Sequence, residues 1–358
     1  MRKILVFMLA LLLVVGLVSC GAGSKIEYTD PSTGEKQEVV IQKTEDEKEV
    51  SQSLYAMTMT EKTAKNPTTS TVTASAKAKG DIKDVGSFDV SISEEMSLSY
   101  KGETAPATNI EAIKNIDAYV KVSVSGKIPG EDKEEVALGS STIELYLEDG
   151  VAYAKIALDA KIADLMSAGS DTSASTGEMI KMFNDKTLKF DLTSTMREEQ
   201  LDDETKEALE KMLNGKDVTI RDIIPEEELD EVKQAFDQLV ETLHLTITNV
   251  SGTKVTYTAD LKAAWEAEKD EASEGGVTFD GSGVAVMDEL TEAKANLTID
   301  VKDLSLVSAS VNLKADGENK LDVSGNVNFK YSASVPTMSD SDKGNAVDLM
   351  SMMRGLFG

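Results

Sequence analysis

Between Thr69 and Tyr100 apolar side chains recur at every second position, and this period of two constrains the fold more than any other feature of the chain. In "STVTASAKAKG", Val72, Ala74, Ala76 and Ala78 alternate with Thr, Ser and Lys. In "SFDVSISEEMSLSYKG", Phe88, Val90, Ile92, Met96, Leu98 and Tyr100 hold one phase, with Glu94 the only intruder. A strand sends successive side chains to opposite faces, so the pattern predicts long strands with one half-buried face, with a break allowed at Glu94-Glu95. The alternation returns in "DAYVKVSVSGKI", where Ala118, Val120, Val122 and Val124 oppose Lys121, Ser123 and Ser125. "VALGSSTIELYLEDGVAYAKIAL" predicts a strand with a bulge near Gly139 and then a hairpin about Asp149-Gly150. From Ala295 to Ser334 the turn signals "KDL" and "DGEN" separate further alternating runs, which predicts an antiparallel meander with Leu321, Val323, Val327, Phe329 and Tyr331 on one face.

Helical patterns are fewer. Val50, Leu54, Met57 and Glu61 fall at i, i+4, i+7 and i+11 ahead of Asn66-Pro67, the spacing of a helix with one apolar face. Pro225 followed by three Glu predicts a helix start, and Leu229, Val232, Phe236 and Leu239 form its apolar stripe. Residues 196–213 predict another helix. The closing "NAVDLMSMMRGLFG" sets Val347, Met350, Met353 and Phe357 opposite a polar stripe. Strand following strand, with few strand-helix-strand crossovers, predicts an α+β fold built on a large antiparallel sheet.

At the amino terminus Arg2 and Lys3 precede an uncharged run from Ile4 to Val18. A spanning helix needs about 20 apolar residues, so this run fits a signal peptide over 1–19 better than a membrane span. The tetrapeptide Leu17-Val18-Ser19-Cys20 resembles the lipobox of bacterial lipoproteins. That resemblance implies cleavage before Cys20, acyl chains such as palmitate on a diacylglyceryl group at its sulfur, and residence at the cell membrane facing outside the cytoplasm. One acyl chain anchors only marginally at about 0.8 kcal/mol per buried CH₂, whereas two or three hold durably. Cys20 is the only cysteine, so no disulfide within the chain is available and stability must come from a core.

The chain has 64 acidic and 37 basic residues, a formal charge of −27. A field of that sign repels nucleic acid and anionic head groups. One histidine and one tryptophan count against histidine-based metal or acid–base chemistry and against a carbohydrate-stacking cleft. His244, in phase with Thr246 and Thr248, reads as a solvent-facing strand residue, and a nucleophile without a neighbouring base does no covalent chemistry. "SDSDKGN", 339–345, lacks the third acidic position and the closing Glu of a calcium loop. The expectation is therefore a non-enzyme without metal or cofactor.

The order of lipobox, polar tether over 20–47, apolar-faced helix, and Ser/Thr/Val strands with the hairpin "YLEDGVAYAKI" resembles the LolA-like class of bacterial lipoproteins, which includes lipid-carrying lipoproteins of mycobacteria. The resemblance implies one domain over 48–358 with a helical insertion at about 159–242. It also implies a strongly curved, half-barrel-like antiparallel sheet whose helices cover one face, with acyl chains held between. Methionine adapts to irregular apolar partners, which makes Leu54, Met57, Met179, Met182, Phe236, Met350 and Met353 the candidate lining. Ordinary core filling also accounts for the same residues. The function expected is a membrane-anchored lipoprotein that binds a lipid or other apolar ligand. The alternative is a cell-surface interaction module with a packed core and a protein partner.

Overall fold

The period-two segments are strands in the computed structural model, which describes residues 25–30, 34–60, 69–83, 86–102, 104–130, 135–162, 182–201, 206, 229–274, 289–302, 305–331 and 334–352. In chain order the elements are β1 (Lys25–Thr29), β2 (Lys36–Val40), α1 (Glu47–Met59), β3 (Thr69–Ile82), β4 (Gly86–Tyr100), α2 (Asn109–Lys114), β5 (Ile116–Pro129), β6 (Glu135–Glu148), β7 (Val151–Ala157), β8 (Lys186–Asp191), α3 (Leu192–Thr195), α4 (Leu229–Leu243), β9 (Thr246–Ser251), β10 (Lys254–Asp260), α5 (Leu261–Glu274), β11 (Leu290–Asp300), β12 (Ser305–Asp316), β13 (Lys320–Tyr331), α6 (Asp340–Asn345) and β14 (Val347–Asp348). Sheet dominates, so the α+β expectation holds only in its sheet part. Residues 196–201, expected to begin a helix, do not form one: Gln200 bridges Thr108, and Asn109 bonds the backbone of Arg197 and Glu199. Cys20, Met179 and Met353 lie outside the described residues.

The chain divides into two compact units: Met1–Asn66 with Lys211–Asn319, and Pro67–Glu210 with Lys320–Gly358. No described strand pairing closes either into a barrel.

The first unit holds the densest core. Its strands run in the order β12-β11-β10-β9, all antiparallel. Helix α1 starts because the Asp46 carboxylate accepts from the Lys48 and Glu49 amides, with Glu47 and Glu49 favourably placed in the first turn. Its apolar face, Val50, Leu54 and Met57, is buried as the spacing predicts. Residues 25–30 and 34–41, within the predicted tether, join this core. β1 and β2 form a hairpin whose Ile26 is fully buried, and the rings of Tyr28 and Tyr55 meet edge to face at 6.0 Å. Phe236 and Val240 of α4 add to this core, and Ser51 Oγ of α1 donates to Asp237 of α4. His244 is exposed but is not a strand residue. It ends α4 in the left-handed region (φ 45°), with Leu245 N–H donating to the Val240 carbonyl, the geometry of a Schellman-type helix stop.

The second unit is a long ladder in the order β14-β8-β7-β6-β5-β4-β3-β13, antiparallel except at β14–β8. Asp149 and Gly150 both have positive φ (49° and 81°) and turn β6 into β7, the two-residue hairpin their sequence predicts. The predicted bulge is also present: Val124 pairs Ser141 and Gly126 pairs Leu138, so Gly139 and Ser140 oppose Ser125 alone. Gly126 (φ 144°) is required there, since a Cβ would stand 2.1 Å from the Asp89 carbonyl oxygen. After β13 the chain returns to β6 and β7, held by Met338 N–H and Lys343 on Glu148 (2.7 and 2.6 Å) and by Asp342 on Lys155 (3.3 Å). The "SDSDKGN" segment is the capped helix α6, with Ser339 Oγ accepting from Asp342 N–H. No helix among the described residues is long and apolar enough to cross a membrane.

Candidate functional site

Strand register sorts the second unit into two faces of opposite chemistry. One face is polar and self-satisfied. Thr71 and Ser97 share a hydrogen bond of 2.8 Å and are buried, as Thr69 and Ser99 share one of 2.8 Å at the next polar pair. Tyr119 and Tyr146 lie 4.9 Å apart beside the Lys121–Glu144 ion pair (2.9 Å), and Tyr146 Oη donates to Glu144 (3.1 Å). Burial, reinforced by the Glu144 charge, pushes the Tyr146 phenol well above its ordinary value, so this hydroxyl remains a donor and not a base. The Glu148 carboxylate receives Lys343 here, and the chain around Met338 and α6 is thereby fastened to the polar side.

The other face is apolar. Val72, Met96, Val120 and Leu145 form one cross-strand row through β3, β4, β5 and β6. Leu98, Ala118 and Leu147 form the next row, with Phe329 of β13 beside Val72. These side chains are not enclosed: Leu98 is 50% exposed, Leu145 45%, and Ile92 and Met96 44% each. Burial therefore runs against polarity, with Ser97 hidden and its neighbours Met96 and Leu98 open. The contrast with the first unit is sharp. Among the described residues, the buried hydrophobic side chains lie in the first unit except Tyr119, Leu188 and Met338.

A rise of about 3.3 Å per residue makes the stretch from Ile92 to Leu98 about 20 Å long. Half the hydrocarbon thickness of a bilayer is about 15 Å, so the patch accommodates the length of an acyl chain. Exposed apolar area of this kind marks interaction sites. No group of three or more His, Cys, Asp or Glu placed to hold a metal occurs among the described residues.

Of the candidate lining, Met179 and Met353 lie outside the described residues, and the other five divide between the two units. Leu54, Met57 and Phe236 are 7% exposed and belong to the first unit's packed core, where they fill space between α1 and α4. Met182, half-buried, and Met350, 39% exposed, belong to the second unit. Met57 fills a core because α1 and α4 have each other to pack against. The strand residues Ile92, Met96, Leu98 and Leu145 are what sequence reasoning overlooked as a site. The signal was available: four successive strands carry in-phase apolar residues, with too little helix between them to cover the face.

No family model and no curated protein matches the chain. Among solved structures, DynF from the dynemicin biosynthesis pathway of Micromonospora chersina aligns at 10% identity over 75% of this chain and 83% of its own, with a TM-score of 0.16. Lipovitellin, from a structure of lipid–protein interactions, aligns at 10% identity over 76% of this chain and 26% of its own, with a TM-score of 0.20.

Proposed function

We propose that this chain is a non-catalytic, membrane-anchored extracytoplasmic lipoprotein, tethered through acylated Cys20, whose second unit binds an apolar chain on the open face of β3 to β6. The observation that carries the binding part is the partial exposure of Ile92, Met96, Leu98 and Leu145 on paired strands. A side chain left near half exposed forgoes much of the roughly 1.5–3 kcal/mol that full burial contributes, and an acyl chain lying on it recovers that contribution. The lipobox Leu17-Val18-Ser19-Cys20 supports the anchor.

The test uses the full chain released from detergent micelles in native mass spectrometry, with lipid extraction of the same preparation. Wild type is expected to carry lipid in excess of its covalent acyl groups, and Leu98→Asp with Leu145→Asp is expected to shed it while remaining folded. Retention of the same lipid by the double variant refutes the site. Uptake of labelled palmitate by a Cys20→Ser chain refutes the anchor.

A further inference from the structure

The apolar face of the second unit carries one charge in its interior. The register of β3, β4, β5, β6, β7 and β13 places Val, Ile, Leu, Ala, Phe, Met, Gly and a few hydroxyl-bearing residues on this face, and Glu94 is the one carboxylate or ammonium group among them. Its direct partners are Ala74 on β3 and Val122 on β5, and one strand further lie Val327 and Ile143. Ile92 and Met96 flank it along its own strand. Lys186 shares its row, four strands away through Val122, Ile143 and Ile156, which at about 4.8 Å per strand is about 19 Å. Neighbouring Glu95 and the nearby Lys121 belong to the polar face, where Lys121 is already bound to Glu144. Glu94 thus has no hydrogen-bond or ion-pair partner among the described residues.

Strand position 94 would be satisfied by any apolar residue, and a carboxylate half-buried among methyl groups costs free energy unless something pairs with it. A break in the local pattern without a structural partner marks a functional position. Its placement gives it a role. Apolar arms extend from it along β4 toward Leu98 and across β5 to Leu145, while the whole chain bears −27.

We propose that Glu94 is the head-group site of this face, and that the face selects an amphiphile bearing a protonated amine over neutral or anionic ones of the same chain length. This rests on the reading that the face binds an apolar chain. The carboxylate pairs with the ammonium, the alkyl chain covers Met96, Leu98 or Leu145, and a carboxylate head group is rejected by Glu94 and by the net field.

The experiment applies three photoreactive diazirine probes to the full chain, with one common alkyl length and an ammonium, an alcohol or a carboxylate head group. Labelled peptides are then mapped. The ammonium probe is expected to label β4–β6 about two- to fivefold more than the alcohol, the factor given by a partly screened ion pair, and the carboxylate least. Glu94→Gln is expected to abolish the ammonium preference and leave alcohol labelling unchanged. Glu94→Lys is expected to reverse the order. Equal labelling of β4–β6 by all three probes overturns the head-group site while leaving the apolar face standing. No labelling there by any probe overturns the apolar-ligand reading itself, and the proposal with it.

Discussion

The hydrogen bond between Ser53 and Tyr257 offers a test of the first unit with both a magnitude and a direction. Both side chains are about 1% exposed, and their oxygens lie 2.8 Å apart. Ser53 Oγ also donates to the Val50 carbonyl at 2.7 Å, which uses its only proton, so the Tyr257 hydroxyl must be the donor to Ser53. Tyr257→Phe removes that donor and leaves Ser53 still bonded to Val50, a loss of about 1 kcal/mol. Ser53→Ala strands a buried phenol donor and also removes the bond to Val50, a loss of about 2 kcal/mol, toward the upper part of the range for a buried unsatisfied group. The double variant leaves no orphan, so its loss should be no greater than that of Ser53→Ala, and the two single effects should be non-additive by about 1 kcal/mol. Trp265, the only tryptophan, lies in α5 of this unit and reports its unfolding in urea. Equal losses in the two single variants, or additive losses in the double, would refute the donor assignment.

Burial separates packing side chains on helices from exposed ones. Phe236→Ala, at a site 7% exposed, should cost about 3–4 kcal/mol by urea unfolding, whereas Met350→Ala, at 39%, should cost under about 1 kcal/mol; similar losses would show that the helical residues are not distinguished by burial. Burial raises the Tyr257 phenol above the ordinary tyrosine value of about 10, so the stabilisation from its neutral form is complete below that pH and is lost as pH rises beyond it. Difference absorbance should accordingly show one tyrosine in wild type that ionises only together with alkaline unfolding, and none of this kind in Tyr257→Phe.

Local patterns were legible because their physics is local. The period of two identified β3 to β7 and β13 strand by strand, Asp149-Gly150 its hairpin, Gly139 its bulge, and the Val50-Leu54-Met57 spacing the buried face of α1. What the pattern could not supply was the partner of each face. Phe88 to Tyr100 reads as a half-buried strand, yet half-burial specifies only that two faces differ. Here the hydroxyl pair Thr71 and Ser97 is the hidden one, and Met96 and Leu98 are open. The same limit holds for the helical methionines: an apolar stripe shows that a helix packs, and not whether a neighbouring helix or a ligand fills the gap.

The sequence by itself determined the strands, their turns, the acidic field and the break in the apolar alternation at Glu94, since each follows from a residue and its near neighbours. Only the tertiary structure decided that the chain forms two compact units, that residues 25–30 and 34–41 join a core, and that the apolar strand face of the second unit stands open. Those outcomes depend on contacts between residues far apart in the chain, where the free energy of burying one face against another chooses among partners that local periodicity leaves equivalent.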